Sequence, residues 1–122
     1  MNQRVVGPRF PYLSLRVSSV PSRNPVEIEA EAFVDTGFDG DLIIPAALIP
    51  DSPLPDGYLT WRLGDGSDVV AAYYVGTVEI VGLPGSFPAV VSILGDEAIV
   101  GRSLTDRFTV IFDHGQRIIV EP

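Results

Sequence analysis

The sequence has no cysteine and no lysine, and it contains only one histidine and one tryptophan. Without cysteine it can form neither a disulfide framework nor a thiolate metal site, which is compatible with the cytoplasm. Sixteen acidic residues outnumber eight arginines, and the net charge of −8 argues against nucleic acids and anionic membranes as partners. No apolar run is long enough to cross a bilayer, and the N-terminus lacks the apolar core of a signal peptide. We therefore expect a soluble, cytoplasmic protein.

The length of 122 residues fits one domain, and we expect residues 1–122 to form it. An apolar fraction of 46% is enough to bury a core. Twelve glycines and eleven prolines are spread along the chain instead of being gathered in a linker. This distribution is typical of many short strands joined by turns.

Alternating apolar and polar residues indicate two strands early in the chain. Residues 26–34 place valine, isoleucine and alanine at every second position, and three glutamates fall between them. A period of two puts the apolar set on one face of a strand, whereas helical spacing would scatter the glutamates around an axis. Residues 13–17 alternate in the same way and predict an earlier strand.

A hairpin is predicted in the middle of the chain. Residues 58–63 and 69–80 are rich in β-branched and aromatic side chains, and the turn sequence Gly-Asp-Gly-Ser separates them. Asp-Gly favours a tight turn because glycine accepts a positive φ. Further strands are predicted over residues 87–94, 108–112 and 117–120, and short helices over 46–49 and 103–107. The expected fold is all-β and barrel-like, with one or two short helices.

The tripeptide Asp35-Thr36-Gly37 follows the strand predicted over residues 26–34. A carboxylate at a strand end, beside a glycine that lets another backbone approach, is a suitable place for a catalytic acid. The same three residues are also ordinary turn formers. On its own, the tripeptide therefore fits either an active site or a plain turn.

The surroundings of this tripeptide resemble the active-site segment of retropepsin-like aspartic proteases, and most of all the bacterial single-domain members. In residues 33–45 the Asp-Thr-Gly is followed by the aromatic Phe38 and an apolar stretch that ends in proline. Residues 98–104 are similar to the family's second motif, in which two apolar residues precede Gly101 and Arg102. The hairpin between the two motifs occupies the place of the family's flap.

This resemblance implies a closed β-barrel of the retropepsin type and an aspartic endopeptidase that needs no cofactor or metal. Because the chain has a single Asp-Thr-Gly, it would supply half of an active site, and a homodimer would bring two Asp35 side chains together. Thr36 would brace the base of the site through its hydroxyl, and Gly37 would allow close backbone packing. The expected substrate is a peptide or protein. Residues expected to bind it are Phe38, Asp39, Gly64, Asp65, Gly66, Ser67, Ile99 and Val100.

Three further expectations accompany this resemblance. Asp39 matches an acidic residue of the retroviral enzymes, and Arg102 matches the arginine with which that residue pairs, so we expect an Asp39–Arg102 ion pair. The dimer interface has two apolar candidates, which are residues 118–120 near the C-terminus and residues 5–6 near the N-terminus. Ile99 and Val100 would line side-chain pockets or lie in the core beneath them.

These residues also allow interpretations other than a protease. The same fold could serve as a non-catalytic peptide-binding or dimerisation module. The acidic residues Asp35, Asp39 and Asp41 suit hard cations, but their spacing lacks the terminal glutamate of a calcium loop. His114 lies in a turn sequence without a second histidine, so we expect it to be solvent-exposed.

Overall fold

The computed structural model describes residues 3–19, 27–49 and 54–122. Within these ranges the chain is mostly strand, with one short α-helix and one 3₁₀ turn at Ala46–Leu48. The strands are β1 (Val5–Val6), β2 (Tyr12–Ser19), β3 (Glu27–Val34), β4 (Leu42–Ile44), β5 (Gly57–Arg62), β6 (Asp68–Ile80), β7 (Phe87–Ile93), β8 (Ile99–Val100), β9 (Thr109–Asp113) and β10 (Arg117–Glu121), and the helix α1 is Arg102–Thr105. The predicted all-β character is confirmed.

Six strands form a closed ring of hydrogen-bonded neighbours in the order β2–β3–β8–β4–β7–β6, and β6 pairs again with β2. The long strand β6 pairs with three other strands. Its first half pairs with β5, and its second half pairs with β7 on one side and β2 on the other. The remaining strands form a separate three-stranded sheet in the order β1–β10–β9. The first half of β6 and all of β5 therefore project from the ring as a hairpin.

The core lies inside this ring, and the alternation of β2 and β3 supplies one wall of it. Leu13, Leu15 and Val17 are at most 4% exposed, and they face Ala32 and Val34 of the next strand. The three glutamates of β3 lie on the outer face, as predicted. The predicted boundary residue Val26 lies outside the described residues.

Arg16 holds the outer face of the ring together across three strands. Its guanidinium contacts Glu29 of β3 at 2.7 Å and Glu79 of β6 at 2.5 Å. These partners flank β2 on its two sides, so one side chain ties both neighbours to the central strand. Each pair is partly exposed and contributes at most about 1 kcal/mol.

Three short strands were not predicted, and each is too short to show a period. β1 and β8 have two residues each, and β4 has three residues that are all buried. The predicted helix over residues 46–49 is the 3₁₀ turn, and the one over residues 103–107 begins one residue earlier and ends at Thr105. Within the described ranges, no helix has the length and hydropathy needed to cross a bilayer.

The three-stranded sheet buries the side chains of one of the two candidate dimer interfaces. Ile118, Ile119 and Val120 are at most 2% exposed, because β10 is the central strand, with β1 on one side and β9 on the other. Their side chains are therefore covered within the single chain. The turn between β9 and β10 contains His114, which is exposed, as its turn sequence predicted. Its φ is positive, at 53°.

Candidate active site

The Asp35 turn begins where β3 ends against β8. β8 lies between β3 and β4, in parallel with the first and antiparallel to the second. Val100 is therefore in register with both Val34 and Leu42, and its carbonyl accepts the Asp35 N–H at 3.0 Å. Strands on both sides of β8 thus fix the backbone from which the Asp35 carboxylate projects.

The Asp35 carboxylate is half-buried and held by its own turn. One oxygen, Oδ1, accepts the Gly37 N–H at 2.9 Å, and the Asp35 carbonyl accepts the Phe38 N–H at 3.2 Å. Thr36 and Gly37 are exposed. Among the described residues, Asp35 has no other side-chain hydrogen bond and the Thr36 hydroxyl has none, so the bracing role expected of Thr36 is not filled within one chain.

The loop that follows Asp35 docks onto the start of α1 through main-chain hydrogen bonds. The Arg102 N–H donates to the Phe38 carbonyl at 2.8 Å, and the Ser103 N–H donates to the Gly40 carbonyl at 3.2 Å. The first N–H groups of a helix have no partner inside it and need one outside. Here the loop carbonyls supply the partners, which couples the position of the Asp35 turn to that of α1.

The predicted ion pair between Asp39 and Arg102 is wrong for the single chain. Both residues are described, and their side chains make no ion pair with each other. The loop and the helix meet instead through the Asp39 carbonyl, which accepts the Ser103 hydroxyl at 2.6 Å. Uncharged hydrogen bonds therefore hold the loop against α1, where the resemblance predicted an ion pair between two charged side chains.

Asp41 belongs to the frame of the site and not to a carboxylate cluster. Its Oδ2 accepts the Val90 N–H of β7 at 2.9 Å, and its carbonyl accepts the Gly101 N–H at 3.0 Å. In the part of the chain that the structure describes, no group of three His, Asp or Glu side chains is arranged to hold a metal ion. Asp41 is therefore committed to β7, whereas the carboxylates of Asp35 and of the exposed Asp39 have the freedom to meet a ligand.

The predicted hairpin is confirmed and forms a projecting arm, which we call the hairpin arm (residues 57–73). At its tip the Leu63 N–H donates to the Ser67 carbonyl at 2.8 Å, and the Gly66 N–H donates to the Leu63 carbonyl at 3.0 Å. Gly66 has a positive φ of 87°, which explains the glycine at this position. All four predicted tip residues (Gly64, Asp65, Gly66 and Ser67) are exposed.

Asp65 gives the tip its charge. Its Oδ1 accepts both the Ser67 hydroxyl at 2.6 Å and the Ser67 N–H at 2.9 Å. The hydroxyl, and after it the backbone N–H, lowers the pKa of the Asp65 carboxyl below its usual range, because both hydrogen bonds favour the charged form. The tip therefore keeps its negative charge at a lower pH than a free aspartate would.

Trp61 connects the hairpin arm to the Asp35 turn, and it is not among the predicted substrate-binding residues. Its ring lies edge-on to Phe38, with centroids 5.2 Å apart and planes at 70°. Its indole Nε1–H donates to the Ser92 hydroxyl of β7 at 3.0 Å. The available signal was its alternation with Leu59 in β5, which places both on one face of the arm.

The remaining predicted site residues divide between core and surface. Val100 is completely buried and belongs to the core, which is the second of the two places expected for it. Ile99 is half-buried, between Phe33 of β3 and Ile43 of β4. The structure thus brings Asp35, Phe38 and Trp61 of the arm together, whereas the hydrogen bonds of the described tip residues are internal to the hairpin.

No known family model matches this sequence, and no curated protein is significantly similar to it. The functional assignment consequently depends on the Asp35 turn, the strands that hold it and the hairpin arm beside it.

Proposed function

We propose that this chain is one subunit of a homodimeric aspartic endopeptidase, and that its ring of strands is a closed barrel of the retropepsin type. The observation that carries the proposal is the Asp35 turn. Asp35 follows the end of β3, and the pairing of β8 with β3 and β4 holds its backbone in place. Its carboxyl group accepts the Gly37 N–H and lies beside the exposed residues Thr36 and Gly37. The hairpin arm is anchored next to it through Trp61 and Phe38.

The need for a dimer follows from the number of carboxyl groups. In aspartic proteases two carboxyls about 3 Å apart cannot both ionise, so they share one proton. The chain has one Asp-Thr-Gly. Of the two other acids in the loop, Asp41 is bonded to β7, and Asp39 is exposed outside the tripeptide. A second copy would supply the missing carboxyl from its own Asp35. The exposed Thr36 hydroxyl would then find its partner across the twofold axis.

In the proposed reaction a water molecule lies between the two Asp35 carboxyls. The ionised carboxylate takes a proton from the water while the water oxygen forms a bond to the scissile carbonyl carbon. The protonated carboxyl donates its proton to the carbonyl oxygen, which gives a neutral gem-diol. In the second step the C–N bond breaks, the amine nitrogen takes a proton from one carboxyl, and a diol hydroxyl returns a proton to the other. No cofactor takes part.

The hairpin arm would close over the bound peptide from the side opposite the two carboxyls. Its tip residues 64–67 have no hydrogen bonds outside the hairpin among the described residues, so the backbone groups that the turn does not use, such as those of Gly64, are available to an extended substrate. Closure would also exclude water from the carboxyl pair. Asp39 and Phe38, next to the turn, would contact side chains that flank the scissile bond.

The dependence of activity on protein concentration tests the proposed dimer. If two chains make one site, cleavage rate per milligram should rise with protein concentration and reach a plateau once the dimer dominates. The measurement is cleavage of a fluorogenic peptide library over a thousandfold dilution series, with sedimentation equilibrium on the same samples. Constant activity per milligram in samples that sediment as monomer would contradict the proposal.

A further inference from the structure

We propose that Trp61 is a positioning residue that fixes the hairpin arm relative to the Asp35 turn, and that a bound peptide perturbs its indole directly. This inference rests on the proposed function, since it concerns how the same site holds its substrate. Three contacts carry it: the edge-on ring of Phe38, the hydrogen bond to Ser92 and the close packing of both rings on Gly40.

The packing around Gly40 shows that Phe38 and Trp61 form one unit with the loop that follows Asp35. A Cβ atom added at Gly40 would lie 2.5 Å from Cζ of Phe38 and 2.9 Å from Cη2 of Trp61. Both rings therefore rest on the backbone of that loop without room for a side chain. Movement of the arm at Trp61 would displace Phe38, whose N–H is bonded to the Asp35 carbonyl.

The hydrogen bond to Ser92 anchors the other end of the indole in the ring of strands. Ser92 has no exposed surface, and it lies in β7 in register with Tyr73 of β6 and Ile43 of β4. The Ser92 hydroxyl is therefore a rigid hydrogen-bond acceptor for the indole, because the strands on both sides of β7 hold its backbone in place. The indole is thus tied to the frame at Ser92 and to the turn at Phe38.

The two faces of the arm differ, and Trp61 lies on the one that meets the site. Register pairs Trp61 with Val69 and Leu59 with Ala71, which is 3% exposed, so these residues share the inner face. Tyr58 and Val70 alternate with them on the outer face, where they are 68% and 65% exposed. Beyond Trp61 the arm continues to a tip whose described hydrogen bonds are all local. A peptide bound under the tip would therefore perturb the arm at Trp61, where the arm is attached to the site.

Fluorescence of the single tryptophan tests this directly. A peptide that carries a statine residue in place of the scissile bond is titrated into the wild-type protein, and binding is followed in parallel by calorimetry. We expect a saturable change in emission maximum and anisotropy with the same midpoint as the calorimetric curve. If calorimetry shows binding but the tryptophan emission does not change, the inference about Trp61 is wrong and the proposed function still stands. Absence of binding would overturn the proposed function, and this inference with it.

Kinetics of two substitutions give a second readout. Trp61→Phe keeps a ring against Phe38 but removes the indole N–H, and Ser92→Ala removes its acceptor. Each should raise KM about fivefold and leave kcat within about twofold, because the arm contributes binding shared by substrate and transition state. The outer-face variant Val70→Thr is the matched control and should leave both constants unchanged. If Trp61→Phe and Ser92→Ala both retain the wild-type KM, or if kcat alone falls, Trp61 does not position the arm.

Discussion

Replacing Asp35 with asparagine should lower kcat/KM for peptide cleavage by about a thousandfold or more. Asparagine keeps the size of the side chain and can still accept the Gly37 N–H, so the turn should persist. It cannot take a proton from water or give one to a carbonyl oxygen, and loss of general acid–base catalysis costs about 10²–10⁴-fold in rate. Since both carboxyls of the proposed dimer are replaced at once, we expect the upper part of that range.

The assay needs a control with the same change of charge elsewhere on the surface. Asp106 is exposed at the end of α1, and its described hydrogen bond is made by its backbone N–H. Asp106→Asn should therefore leave cleavage unchanged. Both variants and the wild type are compared on one peptide library at mildly acidic pH, and the thermal midpoint of each is recorded to show that it is folded.

Two outcomes of this comparison would contradict the proposed reaction. Full cleavage by a folded Asp35→Asn variant would remove Asp35 from the mechanism. A wild-type protein that binds peptides over a wide range of pH, but cleaves none of them, would favour the non-catalytic peptide-binding module that the same fold allows.

Replacing Gly101 with alanine should lower the free energy of unfolding by about 3 kcal/mol. A Cβ atom at this position would lie 2.2 Å from the Gly40 carbonyl oxygen and 2.7 Å from the Phe38 carbonyl oxygen. Both contacts are with backbone, so no side-chain rotation can relieve them. Overpacking of this kind usually costs about 1–3 kcal/mol, and we place this site at the upper end because the loop is bonded to α1.

Gly64→Ala is the matched control for this prediction. A Cβ at Gly64 meets nothing within 4 Å, and we expect the free energy of unfolding to change by less than about 0.5 kcal/mol. Urea denaturation of the three proteins gives both values. Equal stability of Gly101→Ala and wild type would show that the loop after Asp35 does not pack against the start of α1 as described.

Much of the fold could be predicted because its longer strands have one buried and one exposed face. The glutamates of β3 and the apolar residues of β2 separate by face, and the sequence shows that separation directly. The hairpin could be predicted from its Asp-Gly turn, since its register depends on local chemistry.

The strands that hold Asp35 could not be predicted, because their hydrogen bonds are long-range and their sequences carry no period. β8 contributes two residues between β3 and β4, and β4 is buried on both faces. The same limit applies to residues 118–120, whose unbroken apolar pattern suits both an interface and a central strand. In each case, the position of the strand among its neighbours decides whether its side chains are buried.

In the candidate site, too, local motifs could be predicted and long-range contacts could not. The Asp35 turn and the hairpin tip could be found in the sequence, because each is a local motif. The contact between Trp61, Phe38 and Ser92 joins three separate segments of the chain. The expected Asp39–Arg102 ion pair was wrong because proximity of two charges does not ensure that they meet. Main-chain carbonyls of the loop already bind the start of α1.

Mixing wild-type and Asp35→Asn subunits tests most directly whether one site needs two Asp35 carboxyls. The two proteins are combined in equal amounts, allowed to exchange subunits, and assayed at a fixed total concentration at which the dimer dominates. If mixed dimers are inactive, random exchange leaves about one quarter of the wild-type activity, since only that fraction of dimers has two carboxyls. A residual activity of about one half would show that each chain acts alone, and it would contradict the shared site.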